Sequence, residues 1–132
     1  MQREITFETK LGEVVDLTEK IEKIVDESGV SCGIVNVFLP HATGVLIVGE
    51  YEPNIVEDYI KLMREIAPRG RGWAHDRIDD NAHAHLRSIL FGTSVCIPVR
   101  NGKLALGTWQ RIMFVENDGS RIRRAIITVI SC

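Results

Sequence analysis

The dipeptide Asn101-Gly102, set between two apolar, β-branched runs, restricts the fold more than any other feature of this chain. A two-residue connection of this kind closes a hairpin, because both residues tolerate the positive φ of a type I′ turn. It commits residues 93–99 and 103–116 to antiparallel strands. Asn117-Asp118-Gly119 reads as a second hairpin. It leads into 121–130, where Ile122, Ala125, Ile127 and Val129 alternate with basic or polar residues. Residues 3–9 alternate too, with Ile5 and Phe7 on one side and Glu4, Thr6 and Glu8 on the other.

Helical spacing takes over between these strands. Asp16 and Glu19 resemble a capping box, Leu17, Ile21, Ile24 and Val25 recur at three and four, and Gly29 stops the helix. A second helix begins at Pro53, repeats Ile55, Val56, Tyr59, Ile60, Met63 and Ile66, and ends before Pro68. A third spans about 81–91 and closes on Gly92. Residues 31–39 and 44–50 are apolar and β-branched. The short loop Pro40-His41-Ala42-Thr43 predicts that they pair as antiparallel neighbours. The sum is an α+β fold: a mainly antiparallel β-sheet with two to three helices packed on one face. At 132 residues, 1–132 form a single domain.

The formal net charge of −2 excludes a dedicated nucleic-acid or membrane-surface binder, which needs concentrated positive charge. No apolar run approaches the roughly 20 residues that cross a bilayer. Three cysteines, Cys32, Cys96 and Cys132, have no metal-type spacing. Cys32 and Cys96 lie in apolar runs, so the expectation is reduced thiols packed as small hydrophobes, in the cytoplasm.

All four histidines fall between positions 41 and 85, near Glu50, Asp76, Asp79 and Asp80. Imidazoles and carboxylates together build metal sites and acid–base pairs. His41 and Glu50 stand at opposite ends of the strand 44–50, on the order of 20 Å apart at about 3.3 Å per residue. One site can hold both only if two subunits build it. Asn81 and His85, four apart, share a helix face, while His83 points away and is expected to be exposed or packed. Asn81 reads equally as a helix cap, and His75 as a loop histidine beside Trp73. Arg69-Gly70-Arg71-Gly72 can wrap a phosphate, since glycines let amides approach and arginines fork onto oxygens. Trp109 and Gln110 offer a stacking face and an amide, or else a packed core tryptophan.

Four segments, in this order, resemble the YjbQ-like family. They are Pro40-His41-Ala42-Thr43-Gly44-Val45-Leu46 with Glu50, then Trp73-Ala74-His75, then Asp80-Asn81-Ala82-His83-Ala84-His85-Leu86 through Leu90-Phe91-Gly92, and Gly102-Lys103-Leu104 with Leu106-Gly107-Thr108-Trp109-Gln110 and Glu116. The one departure is Ser120, where a proline is expected. The resemblance covers essentially the whole chain and implies an α+β homotrimer. It also implies, for some members, a secondary thiamine-phosphate synthase activity that joins a pyrimidine methyl pyrophosphate to a thiazole phosphate. On the matching positions it implies catalytic Glu50, His75 and His85. Asn81, Trp109 and Gln110 fall among the substrate contacts, joined by Arg69 and Arg71 for the phosphates. A divalent metal is expected on His41, His75 and His85, zinc or manganese suiting imidazole better than magnesium does. A metal-dependent hydrolase or lyase acting on another small phosphorylated molecule is the rival expectation, and a non-catalytic metal- or ligand-binding trimer the third.

Overall fold

The computed structural model describes residues 1–132. The elements run β1 (Gln2–Thr9), β2 (Val14–Asp16), α1 (Thr18–Ser28), β3 (Cys32–Phe38), β4 (Gly44–Glu50) and α2 (Pro53–Ile66). They continue as a 3₁₀ turn (Ala74–Arg77), α3 (Ala82–Phe91), β5 (Ser94–Arg100), β6 (Lys103–Leu104), β7 (Gln110–Glu116) and β8 (Arg121–Ser131). Every strand pairing is antiparallel. The α+β expectation holds, but the strands divide between two sheets: β1-β8-β3-β5-β6 and the smaller β2-β7-β4.

The period-2 rule explains the layering. The inward residues of the large sheet are Phe7, Val35, Val37, Ile97, Val99, Ala125, Ile127 and Val129. They meet Leu46, Ile112 and Phe114 of the small sheet, and the apolar side of α1 (Ile21, Ile24, Val25) joins the same layer. The other side of the small sheet, Val14, Val45, Met113 and Val115, packs against Met63 of α2 and Phe91 of α3. The small sheet is therefore covered on both faces, and the large sheet on only one. Its outer face leaves Ile34, Phe38, Ile122 and Ile130 exposed. Ile34 stands opposite Ile130, and Phe38 opposite Ile126, in the β3–β8 register.

Five local expectations are corrected. Residues 31–39 and 44–50 do not pair, because β3 lies between β8 and β5 while β4 lies beside β7. The run 103–116 breaks after Leu104: β6 completes the Asn101-Gly102 hairpin in the large sheet, and β7 enters the small one. Asn117-Asp118-Gly119 is consequently a crossover between sheets and not a hairpin. Ile122 belongs to the exposed face of β8, while Arg123 takes the inward position. The capping box does not form either. Asp16 Oδ1 accepts from Thr18 N and Oγ1, at 3.0 and 2.7 Å, and its Oδ2 accepts from Arg111 Nε at 2.7 Å.

The cysteine expectation is overturned. Cys32 and Cys132 form a disulfide across 100 residues, with their Cα atoms 5.5 Å apart, and Cys96 is free and exposed on the outer sheet face. Two cysteines at the ends of neighbouring strands meet for geometric reasons that spacing along the chain does not reveal. The argument for a reducing compartment falls with this expectation. No helix is long and apolar enough to cross a membrane.

Candidate functional site

The irregular segment before α3 is organised by three hydrogen bonds. Trp73 Nε1 donates to Pro68 O at 2.9 Å, folding the Arg-Gly loop back on itself. Arg69 pairs with Asp80 across the same loop. Asp76 Oδ1 accepts from Ala82 N at 3.1 Å, so the acceptor that caps α3 comes from the 3₁₀ turn. His75 immediately precedes that clamp. Its ring lies edge-on to the ring of His85, with centroids 4.7 Å apart. His75 is exposed and His85 half-buried, so the pair is open to a ligand.

Asn81, one turn before His85, is not a side-chain cap. Its Nδ2 donates to Asp118 Oδ2 at 3.1 Å, which fixes the amide and turns Oδ1 elsewhere. That Oδ1 is buried with no hydrogen-bond partner. A buried acceptor left unmade costs about 1–3 kcal/mol, so it marks a place where a donor belongs.

Behind this cluster lies a buried ion pair that sequence reasoning missed. Glu116 is 0% exposed and Arg123 is 2% exposed. Arg123 donates from Nε to Glu116 Oε1 at 2.7 Å and from Nη2 to Oε2 at 2.5 Å. Thr9 Oγ1 donates to Oε1, Asp118 N donates to Oε2, and Arg123 Nη2 also reaches Thr43 Oγ1. The available signal was parity: Arg123 shares the side of β8 taken by Ala125, Ile127 and Val129, which predicts burial.

The other candidates lie elsewhere. His41 sits against β8, its Nε2 accepting the backbone N–H of Arg124 at 3.0 Å. That bond needs an unprotonated Nε2. Burial first, then the positive charge of Arg123, hold the ring below the usual histidine range. Glu50 stands opposite Gln110 at the far end of the small sheet, six residues along β4 from Gly44, whose partner is Glu116. Six steps of about 3.3 Å separate the two ends by on the order of 20 Å. Glu50 is exposed in one protomer. Gln110 Oε1 accepts from Gly107 N at 2.8 Å, closing a local turn. Trp109 is 71% exposed, which overturns the packed-core reading.

The structure thus unites His75, His85 and Asn81 at one end of the small sheet, and Glu50, Trp109 and Gln110 at the other. His75 and His85 are two candidate metal ligands, but no three His, Cys, Asp or Glu side chains converge anywhere in the protomer. With Nε2 of His41 already engaged, the donor set of a single chain does not complete a metal centre. His83, on the opposite side of α3 from His85, is packed as expected. Burial, then the nearby Arg87 and Arg69, hold it below the ordinary histidine value.

Comparison with known proteins bears on the family and the fold. The family described as UPF0047 protein YjbQ-like matches residues 3–132. A UPF0047 protein of Archaeoglobus fulgidus is 45% identical over 128 residues, covering 96% of this chain and 99% of the relative. The UPF0047 protein YugU of Bacillus subtilis is 34% identical, covering 92% of each. The crystal structure of a YbjQ-like protein of unknown function from Sulfolobus solfataricus superposes with a TM-score of 0.93 at 36% identity. It covers 100% of this chain and 99% of that one. A hypothetical protein of Aeropyrum pernix gives 0.90 at 39% identity, covering 98% and 99%. The two-sheet architecture, the whole-length match and the shared identity lead to one conclusion: this chain belongs to the UPF0047, YjbQ-like family.

Proposed function

We propose that the protein is a small-molecule enzyme that joins a pyrimidine methyl pyrophosphate to a thiazole phosphate, and that its site is completed between subunits of a homotrimer. The observation that carries this reading is the open His75–His85 pair one turn from the unpartnered, buried Asn81 Oδ1. An acceptor held in a fixed orientation suits an N–H on a nitrogen heterocycle, and two adjacent imidazoles suit the polar edge of the same ring. In the reaction, the thiazole nitrogen lone pair forms the new C–N bond. The methylene C–O bond breaks, and its electrons leave with pyrophosphate. Cations must take up that charge, and Arg69 and Arg71 on the adjoining loop are assigned to it.

The trimer rests on the outer face of the large sheet. Ile34, Phe38, Ile122 and Ile130 form an exposed apolar group there, with Ile126 among them, and such a patch favours a covering subunit. His41 lies against Arg124 on this same sheet, so a covering copy brings new groups to it. Association also supplies what one chain lacks, with Glu50, Trp109 and Gln110 of a second copy facing His75 and His85. Glu50 is assigned there as a carboxylate that stabilises the positive charge developing on the pyrimidine methylene as the C–O bond breaks, a step that releases no proton. A second reading, a metal-dependent hydrolase or lyase on a small phosphorylated molecule, draws on the same two imidazoles. Zinc or manganese then needs further donors from outside the protomer, and no step above depends on it.

Turnover of the two heterocyclic phosphates, read as pyrophosphate release, tests the proposal. His85→Ala and Glu50→Gln are each expected to lose about a hundredfold or more in rate. Trimers mixed from the two variants should recover part of the activity, because some interfaces then carry both intact partners. A full-rate His85→Ala enzyme, or demonstrable mixed trimers with no recovery, defeats the arrangement.

A further inference from the structure

A cavity lies on the other side of α3 from His85. It measures about 280 Å³, and its polar lining is Arg64, Arg69, His83, Arg87, Glu116 and Asn117. The side chains that matter come from α2 (Arg64), the Arg-Gly loop (Arg69) and α3 (His83, Arg87). Three guanidinium groups and an imidazole from three separate segments therefore converge on one small space.

Two of these groups are built in. His83 is 7% exposed and its Nδ1 has no hydrogen-bond partner. Arg87 is 5% exposed, donating from Nε to Ala67 O at 3.1 Å and from Nη1 to Asn117 Oδ1 at 2.9 Å. Those two bonds aim the guanidinium and leave Nη2 without a protein acceptor. No carboxylate pairs with Arg87 or Arg64. Arg69 is held by Asp80, and Glu116 is engaged by Arg123, Thr9 and the amide of Asp118.

An arginine buried without a carboxylate is costly, and a second guanidinium beside it raises that cost. Arg87 is held below the ordinary guanidinium value by burial and by Arg64. Structural need accounts for Nε and Nη1 of Arg87, which hold Ala67 O and Asn117 Oδ1, but not for its Nη2 or for the second guanidinium of Arg64 beside it. A compact anion explains both, with oxygens that accept from several N–H groups at once. Only Leu11 and Ile60 of the lining are hydrophobic, so nothing here suits an extended apolar ligand. The cavity is also at the small end of ligand sites, about 300 Å³ and upward. We infer that this cavity is a phosphoryl-anion site, distinct from the His75–His85 cluster, and that Arg64, Arg87 and His83 bind the anion. Its existence is independent of the activity proposed above.

The test uses the intact protein and two probes, inorganic phosphate and inorganic pyrophosphate, titrated by calorimetry at low ionic strength. Imidazole resonances are followed in parallel by NMR. Saturable binding is expected, tighter for pyrophosphate, with His83 resonances shifting while those of His75 and His85 hold still. Arg64→Gln, on an exposed side chain with no structural partner, should weaken binding about tenfold and leave folding intact. Arg87→Lys, which keeps charge but loses the fork, should weaken it as well. The inference is overturned if neither probe binds, if Arg64→Gln and Arg87→Lys both bind like the parent, or if His75 and His85 shift in place of His83. Retained binding in a His85→Ala protein that has lost turnover would separate this site from the proposed active site.

Discussion

Glu116 and Arg123 show how one residue position can govern the site without touching a ligand. The pair is sealed from water and shares its hydrogen bonds with Thr9, Thr43 and the amide that leads to Asp118. Asp118 in turn orients Asn81. Removing one charge strands the other, so Glu116→Gln is expected to cost about 3–5 kcal/mol in urea unfolding. The double variant Glu116→Gln/Arg123→Met should cost less than that single change. A single variant within 1 kcal/mol of the parent would show that the pair is not what holds this end of the molecule. Asp16 gives a second test at this scale. Burial alone would raise its carboxyl, but hydrogen bonds from Thr18, with the hydrogen bond and charge of Arg111, outweigh it and hold it below the usual carboxylate range. The folded state therefore binds this proton more weakly than the unfolded chain does. The stabilisation is complete above about pH 3.9 and disappears as pH falls through the folded value. Asp16→Asn should lack this acid-sensitive increment, so its urea midpoint should fall less than that of the parent between pH 5 and pH 2. Equal acid slopes would count against it.

At the scale of elements, backbone proximity sets the tolerances. A Cβ added at Gly33 would stand 2.0 Å from Ile130 O, where β3 meets β8, and neither backbone can yield cheaply. Gly33→Ala should therefore lower the thermal midpoint by 5 °C or more, on the basis of about 1 kcal/mol per 4–8 °C for a small domain. An unchanged midpoint would mean that the strands part easily. Most elements were legible in the sequence: the alternation of 3–9, the helical stripes and Asn101-Gly102 hold, whereas Ile122 faces outward, and β2 and the break after Leu104 were not read. Their assignment to sheets was not legible. Alternation says which side chains turn inward, but not which of two interiors they enter. A hint existed in Ile112-Met113-Phe114-Val115, an apolar run without alternation, as expected for a strand covered on both sides. Of the candidate site, Asn81 and His85 were paired by helical spacing, and His75 was named from its place beside Trp73 and from the family resemblance. Asp76, Asp118 and Glu116 were not placed in it, because their roles depend on contacts between distant segments.

For the whole molecule, the disulfide and the apolar outer face decide how the chain behaves in solution. Closing a loop of 100 residues removes much of the freedom of the unfolded chain, an effect of about 5 kcal/mol. Reduction should lower the urea midpoint accordingly, and an unchanged midpoint under reductant would show that the bond adds nothing. Replacing Phe38 or Ile34 by Asp should convert the proposed trimer of 14.8 kDa chains to monomers in sedimentation, whereas a parent that is already monomeric removes the proposed interface. The double covering of the small sheet has a further consequence, for the order in which the molecule breathes. Amide protons of β7, flanked by strands on both edges and by packed layers on both faces, have no local route to solvent. They should exchange only when the entire chain opens, while those of β1 and β6, at the rims of the large sheet, escape through small openings first.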